Sequence, residues 1–169
     1  FSVSPNKQMY YCFGCGEGGN VISFLMKYEN YTFIEAMEVL AERAGVQLPK
    51  MEYSKEAKRE KDLKTKIIEI NTEAAKYFYY LLKSERGKVA YNYLTGRKLS
   101  DETIVRFGLG YSDKYSNNLY GYLRKKGYGD NELKETGLFT FDEKRGVTDK
   151  FWNRVMFPIM DAHNRVIAF

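Results

Sequence analysis

The thiol chemistry of this chain is confined to one turn. Cys12 and Cys15 are the only cysteines in 169 residues, and they lie in Tyr11-Cys12-Phe13-Gly14-Cys15-Gly16-Glu17-Gly18-Gly19-Asn20. Two thiols with two residues between them, on a turn loosened by Gly14 and Gly16, can point at one metal ion and bind it as thiolates. This is half of a tetrahedral zinc site, which takes four ligands, usually sulfur and imidazole nitrogen. The only histidine, His163, lies near the opposite end, in Asp161-Ala162-His163-Asn164-Arg165, whose composition is that of an exposed turn. It reads as a turn residue, not a ligand. Two cysteines cannot form a disulfide framework. A thioredoxin-type pair would open a helix after a buried strand, whereas this pair follows a polar hairpin and precedes a glycine-rich turn. The pair points to a metal whose remaining ligands this sequence does not supply.

The elements around the thiols follow from pattern. Phe1-Ser2-Val3 and Met9 to Phe13 are β-prone, and Ser4 to Gln8 has the chemistry of a turn, so a hairpin is expected to carry Cys12 and Cys15 at its tip. So small an element gains cohesion from metal. Lys7, Tyr10 and Tyr11 have the types that suit a single-stranded nucleic acid, but aromatics on a hairpin more often pack on a neighbour. Asn20 is a helix N-cap ahead of Val21, Phe24, Leu25 and Tyr28. Thr32 and Glu35 form a capping-box pair for a second helix, with Gly45 at its left-handed stop and Pro49 beyond. Both helices read as scaffold for the cysteine turn.

From Lys50 to Lys66 the composition changes. Seven basic and four acidic side chains there account for +3 of the net +5, which marks a solvated helix or tether and a domain boundary. A third helix is expected from near Ile67 to before Gly87. Shorter ones follow over Val89 to Leu94, Ser100 to Phe107, Leu119 to Lys126 and Asn131 to Thr136, each closed by its own stop. Leu109-Gly110-Tyr111 reads as a short extended piece. Leu138 to Phe141 is β-prone, Asp142 to Asp149 a polar connector, and Lys150 to Met160 alternates charge with bulk, with Val155, Phe157 and Ile159 on a shared face and Pro158 implying an edge or a strand end. Val166 to Phe169 returns after the turn. The fold class is α+β: a truncated zinc-ribbon hairpin with two packing helices (1–49), a charged linker (50–66), and a mainly helical part ending in a β-hairpin (67–169).

The sequence pI of about 9.0 suits a polyanionic partner. No run reaches the length of a membrane span and no signal-peptide pattern opens the chain, so the expected compartment is the cytoplasm. Phe1 at the start and the apolar run at the end suggest an excerpt of a longer protein.

With these residues in view, the stretch YYCFGCGEGGNVISFLMKYENYTFIEAMEVLAERAGVQLP resembles the second half of the zinc-binding domain of bacterial DNA primases. The segment YLTGRKLSDETIVRFGLGYS resembles the connecting region of that family, and DKFWNRVMFPIMDAHNRVIAF the start of its RNA polymerase domain. The resemblance implies that Cys12 and Cys15 are the second pair of a Cys-His-Cys-Cys zinc site, whose first Cys and His belong to a preceding C-P-x-H segment. It implies Arg97, Lys150, Asn153, Arg154 and Arg165 as residues lining a template or nucleotide groove. It also implies a function: synthesis of short RNA primers on a single-stranded DNA template from nucleoside triphosphates, with Mg or Mn, beside a replicative helicase. The carboxylates that hold those ions belong to a later acidic subdomain of the family, so this stretch alone is expected to be inactive. Asn164 stands where the family commonly has Gly, and Asn20 where Asp is usual. The rival reading is a non-catalytic zinc and nucleic-acid binding module that kept only the primase-like front.

Overall fold

The computed structural model describes residues 1–48, 55–115 and 117–169. It divides into two compact units, Phe1–Tyr53 and Ser54–Phe169. Pro49 and the first part of the expected linker lie outside the described residues.

The first unit is a three-stranded antiparallel sheet with two helices. Strands β1 (Ser2–Ser4), β2 (Met9–Tyr11) and β3 (Gly18–Asn20) pair in sequence order, with Tyr10 opposite Val3 on one side and Gly19 on the other. A 3-10 turn over Pro5–Lys7 joins the first two strands. The third strand was not expected: Gly18 and Gly19 read as turn residues. Gly19 is there because its φ is +155° and a Cβ on it would meet the Ser23 hydroxyl oxygen at 2.1 Å. The thiols consequently sit in the β2–β3 connection and not at the tip of the β1–β2 hairpin. Helix α1 (Val21–Tyr28) starts at Asn20, whose Oδ1 accepts the Ser23 N–H at 3.0 Å. Helix α2 (Phe33–Ala44) has the Thr32–Glu35 capping box and ends at Gly45 in the left-handed region, φ 66°. Tyr10 is the buried centre: its ring lies 5.6 Å from that of Phe1 and 5.3 Å from that of Phe24. Only Tyr10, Ala36 and Ala41 are buried apolar residues among those described here. A core of that size leaves cohesion to be supplied by something else.

The second unit is organised on helix α3 (Lys55–Lys83), which begins within the stretch expected as linker and not near Ile67. Its first turns are charged, and its apolar stripe starts only where Ile70 comes inward. Ile70, Ala74 and Phe78 enter one core with Leu119, Leu123, Leu133, Leu138, Phe139 and Met156. Leu81 and Leu82 enter a second with Ala90, Leu94, Ile104, Leu109 and Tyr111. Helices α4 (Lys88–Gly96), α5 (Asp101–Arg106), α6 (Asn118–Lys125) and α7 (Asp130–Glu135) supply the partners Ala90, Leu94, Ile104, Leu119, Leu123 and Leu133, and the others come from strands or the residues beside them.

Six short strands complete the unit as antiparallel pairs. β4 (Gly110–Ser112) pairs with β7 (Arg154–Met156), β5 (Phe139–Asp142) with β6 (Gly146–Asp149), and β8 (Ile159–Met160) with β9 (Val166–Ala168). Two expectations change. The polar connector 142–149 contains a strand, because Asp142 Oδ1 accepts the N–H groups of Lys144 and Arg145, both at 2.8 Å, and closes a hairpin turn. The stretch 150–160 is two strands with different partners, interrupted at Phe157-Pro158, so the shared face of Val155, Phe157 and Ile159 does not form. Met156 is the buried residue, while Phe157 and Ile159 are about half exposed. Asp149 at the end of β6 reaches across to cap α6, accepting the N–H of Leu119 at 2.9 Å and of Tyr120 at 3.0 Å. Burial pushes its carboxyl up to about 6, against the N–H groups that favour its charged form.

β4 lies directly on α3. A Cβ on Gly110 would meet the Cβ of Phe78 at 2.5 Å and its backbone carbon at 2.7 Å. Gly110→Ala is therefore expected to destabilise this unit by about 1–3 kcal/mol, read as a lower urea midpoint. Glu73 links α3 to α6: its carboxylate accepts from Lys126 Nζ at 2.6 Å and Lys76 Nζ at 2.8 Å. These bonds, Lys126 first, hold its pKa at about 2. A depressed carboxyl contributes stability above its unfolded value and loses it on acidification. Thermal stability is thus expected to fall between pH 4.5 and 2, and less steeply in Glu73→Gln.

Candidate metal pair and nucleic-acid interface

The thiol turn is closed by the backbone. The Cys12 N–H donates to Glu17 O at 2.7 Å, and the Gly16 N–H to Cys12 O at 2.8 Å. Gly16 takes φ +76°, which suits glycine. The backbone N–H of Cys15, then its thiol, then the N–H of Gly14 hold the Cys12 thiol below its usual range, while donation to Cys12 and burial push Cys15 up. Amide donors aimed at sulfur stabilise a thiolate, the form that ligates metal. Lys27 on α1 pairs with Glu17 in the same turn. The donor set fits zinc as two of four ligands. Among the described residues no cluster of three or more His, Cys, Asp or Glu side chains could hold an ion, and His163 is exposed in the β8–β9 turn, its N–H donating to Asp161 Oδ1 at 2.9 Å.

The basic and polar candidates divide by location. Lys150, Asn153 and Arg154 share the loop that leads from β6 into β7, and the end of β4 holds that loop. Tyr111 donates its hydroxyl to Asn153 Oδ1 at 2.9 Å, Ser112 donates to the Phe151 carbonyl, and the Asn153 N–H donates to Asp113 O at 2.9 Å. The other flank is fixed by the Lys150 N–H on Leu138 O at 2.8 Å. These bonds keep Asn153 at φ 51°, an uncommon conformation that asparagine tolerates. Burial, followed by the charge of Asp113, pushes the Tyr111 phenol up, so it stays a donor. Lys150 and Arg154 are exposed.

Arg97 and Arg165 stand elsewhere. Arg97 follows α4, with Nη1 on the Tyr93 hydroxyl at 3.1 Å. Arg165 is tied to Asp161, Nε to Oδ2 at 2.6 Å, and lines a cleft of about 370 Å³ with Thr65, Ile68, Glu69 and Tyr128. Asn164 sits in the left-handed region at φ 59°.

Sequence reasoning missed Asp113, the residue on which the loop rests. It is 5% exposed; Oδ2 accepts from Arg86 Nη1 at 2.8 Å and Oδ1 from the Lys114 N–H at 2.6 Å. Its partners Arg86 and Asn153 are far away in sequence, and no local pattern announces them.

The first unit carries a cysteine pair in a turn closed by its backbone, and the second presents a basic loop whose flanks are hydrogen-bonded. Comparison with known proteins narrows this. Residues 1–56 match the CHC2 zinc finger, and residues 77–169 match the DNA primase catalytic core, N-terminal domain. The chain belongs to the DNA primase family. It is 41% identical over its whole length to a DNA primase of Clostridium acetobutylicum, of which it covers 28%. Its fold is similar to the zinc-binding and RNA polymerase domains of the Aquifex aeolicus primase, at 31% identity and TM-score 0.52, over 98% of this chain and 38% of that one. A DnaG primase catalytic domain bound to ssDNA is similar over 63% of this chain and 34% of its own, at 27% identity and TM-score 0.57. The chain spans under a third of the curated primase it matches. Among the described residues no helix is long and apolar enough to cross a membrane.

Asp113→Ala removes both the anchor of Arg86 and the acceptor for Lys114. It is expected to cost about 1–3 kcal/mol in urea unfolding and to raise hydrogen exchange at Asn153, with β5–β6 unchanged.

Proposed function

We propose that this chain is the template-handling front of a DNA primase, which in the whole protein makes short RNA primers on single-stranded DNA for replication. Unit 1 serves as half of a zinc ribbon: Cys12 and Cys15 supply one pair of ligands, and the metal supplies the cohesion its small core lacks. Residues 67–169 serve as the front of the RNA polymerase domain, entered through the charged segment 50–66. Lys150, Asn153 and Arg154 contact the template backbone, with Arg97 and Arg165 as outlying contacts. Arginine meets phosphate through its planar fork and lysine as a point charge. Nucleoside triphosphates, Mg or Mn and a helicase partner belong to the whole protein, in the cytoplasm.

The observation that carries this reading is the loop 150–154. Its backbone is fixed at both flanks, it offers cations to solvent, and it lies in the span matched by the primase core. Binding is expected to be dominated by phosphate contacts and therefore to weaken with salt. Arg154→Ala is expected to weaken binding of a labelled oligothymidylate by roughly fivefold and to lower the slope of log affinity against log salt by about 0.7. Equal affinity and slope in the two proteins, measured by fluorescence anisotropy, would reject the assignment.

A further inference from the structure

Trp152 stands between Lys150 and Arg154 and is the only tryptophan of the chain. Its side chain is 54% exposed. The residue before it, Phe151, packs against the core, and the residue after it, Asn153, is bonded to Tyr111 and Asp113. More than half of this residue is open to solvent, on a loop whose neighbouring residues are held. Exposing it forgoes burial of one of the largest apolar side chains. Holding the chain on either side of it lowers the entropy lost when a flat ligand lies against it. Cations flank it in sequence on both sides, at Lys150 and Arg154. Beyond the Asn153 to Asp113 bond, the opposite strand end continues into Lys114, whose Nζ lies 5.4 Å from the centre of the exposed Tyr115 ring. Aromatic faces interleaved with cations are the chemistry that takes unpaired bases and their phosphates together.

We propose that Trp152 is a stacking platform for a base of single-stranded nucleic acid. The proposal rests on the template-handling reading above and adds to it a base contact, where the arginine and lysine provide backbone contacts. Stacking on indole is tolerant of base identity, because every base has a π-face. The loop therefore grips an unpaired strand without reading its sequence, and a duplex, whose bases are already stacked, does not satisfy it.

A sole tryptophan makes the site its own reporter. In the 169-residue chain, Trp152 emission is followed while an oligothymidylate, or an abasic oligonucleotide of equal length, is added. Anisotropy of a labelled strand measures binding in parallel, and circular dichroism checks each variant's fold. The expected result is quenching by the base-bearing strand and none by the abasic one. Trp152→Ala should lose about 5- to 150-fold in affinity for the base-bearing strand, and Trp152→Phe should recover most of it, with affinity for the abasic strand unchanged in both. Binding by anisotropy with unquenched emission and unaltered Trp152→Ala affinity overturns the stacking role and leaves the template reading standing. Equal losses for both strands in Trp152→Ala also overturn it, since they show a loop that has lost its shape. Absence of binding to any strand at low salt overturns both.

Discussion

Burial of one stripe of α3 is the constraint on which the second unit depends. Ile70, Ala74 and Phe78 recur at helical spacing and lead into Leu81 and Leu82, so a single helix feeds two cores. At 29 residues it is about 43 Å long, and it packs both on α4, which follows it closely, and on elements distant in sequence. The closest of these is β4, which lies against Phe78 only because residue 110 lacks a side chain. Removing that fit would separate β4 from α3, and with β4 would go the hydrogen bonds that shape the 150–154 loop. The chemistry of the loop is thus set by a packing contact in which none of its own residues takes part.

The two units solve the problem of cohesion differently. The second spreads its buried apolar residues over two clusters and adds cross-links: Glu73 to Lys126, Asp149 to the start of α6, Asp113 to Arg86. The exposed ends of such pairs contribute little on their own, and it is the buried carboxylates bonded to backbone N–H groups that fix geometry. The first unit buries one aromatic and two alanines. Its sheet is three strands of three residues each, short of what stands alone in water. The match to the CHC2 zinc finger points to metal as the remedy open to such a unit, since metal can join strand ends that apolar contact cannot.

Much of this was legible in the sequence, and what was not has physical causes. Helix signals are local: the caps at Asn20, Thr32 and Ser100 and the left-handed stop at Gly45 act within four residues, and the structure realises each of them. The cysteine spacing is local too, and it marks the pair as a metal candidate without any knowledge of the fold. Strand pairing is not local. β3 is Gly18-Gly19-Asn20, the composition of a turn, and becomes a strand only because Tyr10 and Tyr11 offer it a ladder. Pro158 marks an edge or strand end in the sequence, but no periodicity in that stretch encodes that β7 then pairs with β4 and β8 with β9. Asp113 escaped notice for the same reason, since its value lies in partners at positions 86 and 153.

Net charge is a poor guide to where such a protein meets phosphate. Of the +5 that the chain carries, +3 lies in the segment 50–66, while many cations of the folded body are already engaged: Arg86 by Asp113, Lys126 and Lys76 by Glu73, Arg165 by Asp161. A cation paired with a carboxylate releases no counterion when a strand arrives unless the pair opens, so it adds little to affinity. Lys150 and Arg154 have no ion pair among the described residues, and both are exposed on a loop that does not need them for its shape. What such an interface draws on is the number of cations left uncommitted by folding, not the number present, and Lys150 and Arg154, both exposed, are two of these.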